Sequence, residues 1–303
     1  MPVELKDIRD FMRDVHPPAP APAPAPLPLA REALWQNTPD QPLAVTLHSI
    51  APGEEDAQQP GADEIELMIC WRGKGKAAIG AVSFSDLDFE AGDSMVIPPG
   101  LARKYRALKD VQPDNKPDRQ PAEKLIMVTV RTKLPAGAPP PDTMAVTDVT
   151  QLKRKIGNYI YYNRIAEERC VRSRIWGRDG MDGDGRSDVL KPYFHMTAYC
   201  FVPRQVNPEH YHPHSVELVI CLQGEADVVT RVPAAPGSGD WKPREHGWQP
   251  VQPFVMKEGH ALLVPKAALH QYITRGNEDL ILLAMQSPHP VMHILGPEVS
   301  TLP

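Results

Sequence analysis

Two histidines two residues apart, followed five residues later by a glutamate, form the most chemically loaded spacing in this sequence. They are His210, His212 and Glu217 in the stretch EHYHPHSVELVICLQG. On a β-strand, residues i and i+2 point to the same side, so His210 and His212 face inward together while Tyr211 faces out. A turn at Pro213 to Ser215 brings Glu217 back on the neighbouring strand, and Gly224 permits a tight turn after VELVICLQ. His270, on a distant strand beyond another turn, completes a set of three imidazoles and one carboxylate. Such donors suit a single divalent metal and leave one or two coordination positions open, as a catalytic site requires, whereas a structural site is usually closed.

Neighbouring residues enlarge this picture. His214 extends the run to H-x-H-x-H and is the alternative to His212 in the ligand set. Tyr272 lies two residues beyond His270 and so shares its face, and Tyr199 lies on the strand HMTAYCFV. A phenol close to a metal-bound oxygen can donate a hydrogen bond or a proton. Glu217, Tyr272 and Tyr199 are therefore the candidate catalytic residues, with plain packing as the alternative for the two tyrosines. His195 reads as an interior histidine with its hydrogen bonds satisfied. Cys221 and Cys70 occupy matching places and read as packing residues.

The elements that must position these groups are strands. From residue 43 onward, short apolar or alternating runs (LAVTLHSI, IELMICW, SMVIPP, KLIMVTV, HMTAYCFV, VELVICL, HALLVP, DLILLAM) are separated by Gly, Pro and Asp, which is an all-β pattern. The runs repeat. ELMICWRG at 66–73 matches ELVICLQG at 217–224 at an offset of 151, which also pairs Pro52 with Pro203; GDSMVIPPGLAR at 92–103 matches GHALLVPKAALH at 259–270 at an offset of 167. The difference locates an insertion in the second copy, over Ala234 to Gln249, a loop of the kind that forms pocket walls. Ahead of the repeats, residues 3–15 place Val3, Ile8, Phe11, Met12 and Val15 on one helical face, and PPAPAPAPAPLP at 17–28 favours an extended polyproline spacer. The expected domains are thus a helix and Pro-rich spacer at 1–28, a first barrel at 29–150 and a second at 151–303.

Residues 204–224 and 259–274 carry a resemblance to the cupin superfamily. Its first motif, G-x5-H-x-H-x3-4-E-x6-G, is met from His210 to Gly224, with Arg204 at the opening Gly. Its second, G-x5-P-x-G-x2-H-x3-N, is met at Gly259, Pro265 and His270, with Ala267 at the second Gly and Thr274 at the Asn. The resemblance extends over residues 43–131 and 195–286. It implies a bicupin, two tandem jelly-roll-like double-stranded β-helix barrels, with a metal (iron, manganese, nickel, copper or zinc) and a small molecule beside it. In the first copy Gln59 and Gly61 stand at the two histidine positions and Arg103 at that of His270, and only Glu66 survives. A carboxylate facing a guanidinium holds that partner rather than a cation, so one metal per chain is expected. Arg103 gripping a substrate carboxylate is the alternative.

The net charge of −5 and the absence of a Lys/Arg block argue against a nucleic-acid partner. The strand-sized apolar runs and the mixed-charge N-terminus point to neither a membrane span nor a signal peptide. Four cysteines (Cys70, Cys170, Cys200, Cys221) without CxxC spacing read as free thiols of a cytoplasmic protein. GRDGMDGDGRSD at 177–188 resembles a calcium loop but lacks the later oxygen ligands. The Pro-crowded HPVMHIL at 289–295 is a poor helical metal pair. The reading as a whole is a mononuclear non-heme Fe(II) dioxygenase or related oxidoreductase acting on a small chelating metabolite. Zn(II) or Mn(II) Lewis-acid chemistry (isomerase, decarboxylase, lyase or group transfer) is the first alternative, with Ni(II) a further candidate metal. A non-catalytic metabolite-binding cupin is the second. The N-terminal arm also suits exchange within a homodimer.

Overall fold

The computed structural model describes residues 3–8, 29–36, 42–59, 61–80, 87–108, 123–134, 153–156, 170–176, 195–234, 247–288 and 294–295. The elements among them are all β-strands. β1 (Glu4–Asp7) is followed by β2 (Leu29–Trp35), β3 (Leu43–Ile50), β4 (Glu55–Gln58), β5 (Glu64–Arg72), β6 (Lys74–Ile79), β7 (Asp88–Glu90), β8 (Asp93–Ile97), β9 (Arg103–Ala107), β10 (Leu125–Lys133) and β11 (Lys153–Lys155). Then come β12 (Cys170–Trp176), β13 (His195–Phe201), β14 (His210–Tyr211), β15 (Val216–Gln223), β16 (Glu225–Pro233), β17 (Trp248–Pro250), β18 (Phe254–Lys257), β19 (His260–Val264), β20 (Leu269–Arg275), β21 (Leu280–Ser287) and β22 (Ile294–Leu295). The chain divides into two compact units: Asp10–Thr38 with Leu43–Gly157, and Met1–Arg9 with Pro39–Pro42 and Asn158–Pro303.

Each unit is a pair of antiparallel sheets. In the first, β11-β8-β5-β10-β3-β2 faces β4-β9-β6-β7. In the second, β1-β19-β15-β21-β13-β12 faces β17-β16-β20-β14-β22, with β18 also on β16. The six-stranded sheets correspond strand for strand, so the fold is all-β with two tandem cupin-type barrels. The repeat reaches further than the sequence motifs. β2 and β12 each carry a register shift just before a buried tryptophan, Trp35 and Trp176. Strands that need one packed face alternate, as in β6 with burial pattern eBiBiB, whereas β5 and β15 are buried on both faces and read as continuous apolar runs. Between the sheets of the second unit, Val219, Leu262, Leu280 and Leu282 are at most 1% exposed. Each contributes about 1.5–3 kcal/mol relative to an exposed side chain. Gly224 (φ 81°) turns the chain between β15 and β16, as its counterpart Gly73 (φ 82°) does between β5 and β6.

The helix expected over residues 3–15 is, in its described part, a strand. Glu4 to Asp7 pair with Leu263 to His260 of β19, and Ile8 N–H donates to Gly259 O at 2.9 Å. Val3 and Leu5, two residues apart, lie against the core of the second unit. A short isolated helix is marginal in water, and here an open sheet edge satisfies the backbone instead. β11 does the same for β8, with Ile156 N–H donating to Gly92 O at 2.8 Å. The polyproline stretch, the calcium-loop-like stretch, residues 235–246 of the insertion and His289 and His293 lie outside the described residues. Among the described residues no helix is long and apolar enough to cross a membrane. Cys70 and Cys221 are buried free thiols with matching contacts, each near the two carbonyls of its following turn.

Candidate metal centre

His210 on β14 pairs directly with His270 on β20. His212 follows in a loop whose carbonyl accepts from Ala267 N–H at 2.9 Å, and the Ser215 hydroxyl ties the next turn to Pro288 O at 2.7 Å. Chain direction then reverses into β15, which carries Glu217. Two of the positions that depart from the glycine pattern keep glycine's backbone: Arg204 has φ 63° and Ala267 φ 60°, in the left-handed region that costs a side chain about 1–2 kcal/mol. Ala267 is the residue that grips the His212 carbonyl, so that strain is spent on holding the ligand loop.

The structure brings the four expected donors together. One ligand atom from each of His210, His212, Glu217 and His270 lies within 4.8 Å of the others, and all four side chains are buried. Ring centroids of His210 and His270 are 4.1 Å apart, and His212 is 5.2 and 5.4 Å from them. His210 Nδ1 lies 2.9 Å from Pro208 O and His270 Nδ1 lies 3.1 Å from Ala268 O. A carbonyl only accepts, so both rings carry hydrogen on Nδ1 and present the Nε2 lone pair inward when neutral. His270 Nε2 then meets Glu217 Oε2 at 2.9 Å, and both atoms are buried without a hydrogen bond. Two facing lone pairs need a cation between them, either a proton on the ring or a metal ion, and the convergence of four donors on one point fits a divalent metal. Burial would raise the Glu217 carboxyl, but positive charge on His270, His212 and His210, when these rings are protonated, outweighs it and holds the group below the usual carboxylate range. His214 is exposed on the turn and outside the cluster, and His195 is buried against the Thr197 hydroxyl.

Beside the donors is a small cavity with room for about one water-sized group, lined in part by Tyr199, Phe201, Asn207, His210, Glu217 and Tyr272. The Tyr272 hydroxyl is buried with no hydrogen-bond partner. Burial, then the Glu217 charge and Tyr199, push its pKa well above the ordinary value, so it remains a donor. Tyr199 stacks on Phe201 at 5.9 Å and packs against the second unit's core. Tyr211 does not face solvent as strand alternation predicted. β14 is only two residues long, and Tyr211 packs with Leu269 and Ala267 under Trp248, at the return of the insertion. Gln286 was not singled out from sequence, because its place opposite Glu217 is a matter of strand register.

In the first unit a guanidinium occupies the corresponding place. Arg103 is fully buried; it hydrogen-bonds Glu66 and donates to Gln58 Oε1 at 2.9 Å, while Tyr105, the counterpart of Tyr272, donates to Glu66 Oε1 at 3.0 Å. Gln58, not Gln59, is the counterpart of His210, since Gln58 pairs with Arg103 as His210 pairs with His270. Gly61 does match His212, its carbonyl accepting from Gly100 N–H as that of His212 accepts from Ala267 N–H. The first copy therefore has one more residue between these points, which a constant offset misses. A further buried chain, Gln58 and His48 on Asp56 and His48 on Thr129, continues the network at 2.8–3.0 Å. Burial, assisted by Arg31 and Arg103, lowers His48 to about 3, so it is neutral.

Fold and site together define a two-barrel protein with a cluster of three histidines and a glutamate in its second barrel. Residues 194–302 match the cupin family model. Among solved structures, the chain is similar to a cupin 2 conserved barrel domain protein from Leptotrichia buccalis (TM-score 0.54, 14% identity, covering 94% of this chain and 96% of that one). It is also similar to oxalate decarboxylase from Bacillus subtilis (TM-score 0.54, 13% identity, 88% and 73% covered) and from Lactobacillus farciminis in a formate complex (TM-score 0.51, 15% identity, 84% and 79% covered). The Bacillus subtilis decarboxylase is described with Mn(II) centres. No curated protein matches the sequence. None of these relatives supports the iron dioxygenase expected from the ligand set alone.

Proposed function

We propose that this chain is a metal-dependent bicupin enzyme whose second barrel carries out a non-oxidative, lyase-type reaction, decarboxylation of a small chelating carboxylate being the form that fits best. The observation that carries this reading is the close pair of Glu217 Oε2 and His270 Nε2 within the four-donor cluster, set beside a small cavity lined in part by Tyr272, whose buried hydroxyl has no hydrogen-bond partner. A divalent metal such as Mn(II) or Zn(II) would supply Lewis acidity, polarising a chelated carboxylate. The protein supplies the rest. Backbone carbonyls lock the His210 and His270 tautomers, and Glu217 offers the one negative charge. Tyr272, kept protonated, is placed to donate a hydrogen bond or a proton to the oxygen or carbon on which charge develops. Phe201, Val219, Leu282 and Ala284 line the cavity with apolar surface and limit water. The likeness to oxalate decarboxylases supports this chemistry over oxygen activation.

The test is metal analysis of the purified chain followed by CO2 release from a panel of short oxo- and dicarboxylic acids. The expected result is close to one Mn or Zn per chain and a Tyr272→Phe variant that keeps its metal while kcat falls about 10²-fold. Stoichiometric iron with substrate-dependent O2 uptake would refute the proposal.

A further inference from the structure

The geometry points to Gln286 as a positioning residue of the metal centre, a role that rests on the metal-binding reading above. Gln286 lies on β21 directly opposite Glu217 on β15 and is 1% exposed, so its carboxamide has no route to solvent. Its Nε2 donates to Glu217 Oε1 at 2.7 Å and lies 2.8 Å from His212 Nε2. An amide nitrogen only donates. The reverse orientation would set the amide oxygen against a carboxylate oxygen, so electrostatics selects the arrangement in which the amide donates to Glu217 Oε1.

The consequence for Glu217 is specific. Its Oε1 is occupied by Gln286, whereas Oε2 accepts no hydrogen bond and faces His270 Nε2 at 2.9 Å. Gln286 thereby presents the carboxylate to the donor set through a single oxygen. The first unit supports a recurring use of this register. Arg131, opposite Glu66 on β10 and β5, also places a donor nitrogen toward the carboxylate, with Nε 3.9 Å from Glu66 Oε2. A residue with a donor nitrogen thus stands at this register in both copies, as a hydrogen bond in the second and as a longer charge contact in the first.

The test compares the full-length chain with Gln286→Leu, which keeps the volume and removes the donor. Mn(II) or Zn(II) affinity is measured by competition with a chromophoric chelator. The separation of the Glu217 carboxylate stretches is read by infrared difference spectroscopy between metal-loaded and metal-free protein. The expected result is an affinity lower by about 10- to 100-fold, the usual effect of removing a partner that orients a metal ligand, and a narrower separation as both oxygens turn to the metal. Should the leucine variant fail to fold, Gln286→Asn, which withdraws the amide by one methylene, is read in the same way. A folded variant with wild-type affinity and unchanged stretches, while the wild type binds metal, overturns this inference alone. A wild type that binds no metal overturns the metal centre and this inference with it.

Discussion

Replacing Arg103 by leucine removes the guanidinium that stands where His270 stands in the second barrel, and leaves the Glu66 carboxylate in a site with no exposure to solvent. Two partners would remain, the Tyr105 hydroxyl at 3.0 Å and, weakly, Arg131 Nε at 3.9 Å. Removing one member of a buried pair costs about 3–5 kcal/mol, and the surviving Tyr105 bond argues for the lower end. For a unit of this size about 3 kcal/mol corresponds to a melting shift of roughly 6–12 °C. The loss also has a pH signature. Burial already raises the Glu66 carboxyl, with Arg103 the leading opposing influence, so deleting Arg103 raises it further. A group whose folded pKa exceeds its unfolded value keeps its contribution below the unfolded pKa and loses it as pH rises through the folded one. The deficit of the variant should therefore grow as pH rises from the wild-type carboxyl's pKa, already above the ordinary value, to the still higher one of the variant, by at most about 1.4 kcal/mol per pH unit. Arg103→Leu with Glu66→Leu should recover most of it, because replacing a whole buried pair with apolar side chains is close to neutral. Calorimetry of the full chain over a pH series, with metal content followed in parallel, measures all of this. A single variant melting within about 2 °C of wild type at pH 8, or a deficit that ignores pH, would refute the reasoning.

Metal removal should act on the other unit. A metal held at a thousandfold its Kd stabilises the folded state by about 4 kcal/mol. A chelator should thus lower the calorimetric transition of the second unit, and Glu217→Gln should abolish both that shift and the bound metal. Gly224→Ala places a Cβ 2.6 Å from Asp279 O on a backbone at φ 81°, whereas Gly276→Ala at φ 70° meets nothing within 4 Å. Urea denaturation should show a loss above about 2 kcal/mol for the first and about 1–2 kcal/mol for the second, the difference measuring the close approach of the turn to the next strand.

The parts of this protein that sequence reveals are those set by residue identity at short range. His210, His212, Glu217 and His270 are legible because few other arrangements use three imidazoles and a carboxylate at that spacing, and the repeated ELxICxxG exposes the second barrel at once. What escapes is set by pairing. Gln58 replaces Gln59 as the counterpart of His210 because one extra residue lies in the first copy's loop, visible only through the partners of Arg103 and Gly100. Tyr211 is covered because Trp248 returns over it from the insertion. Residues 4–7 form a strand because β19 offers an edge, a fact held some 250 residues away.

That last pairing bears on how the chain is made. β1 is synthesised ahead of the whole first unit, yet its partner β19 follows that unit, so Glu4 must wait for Leu263. Closing so long a loop adds little to its equilibrium cost, since the penalty grows only with the logarithm of length. In time it is a late event. Until it happens, β19 has an open edge on the side that β1 will cover, and the barrel that carries the metal ligands is the one left with a template for unwanted strand pairing. The first barrel has its own edge closed by β11, from the segment just behind it, and so waits for nothing in the second half of the chain to complete that sheet.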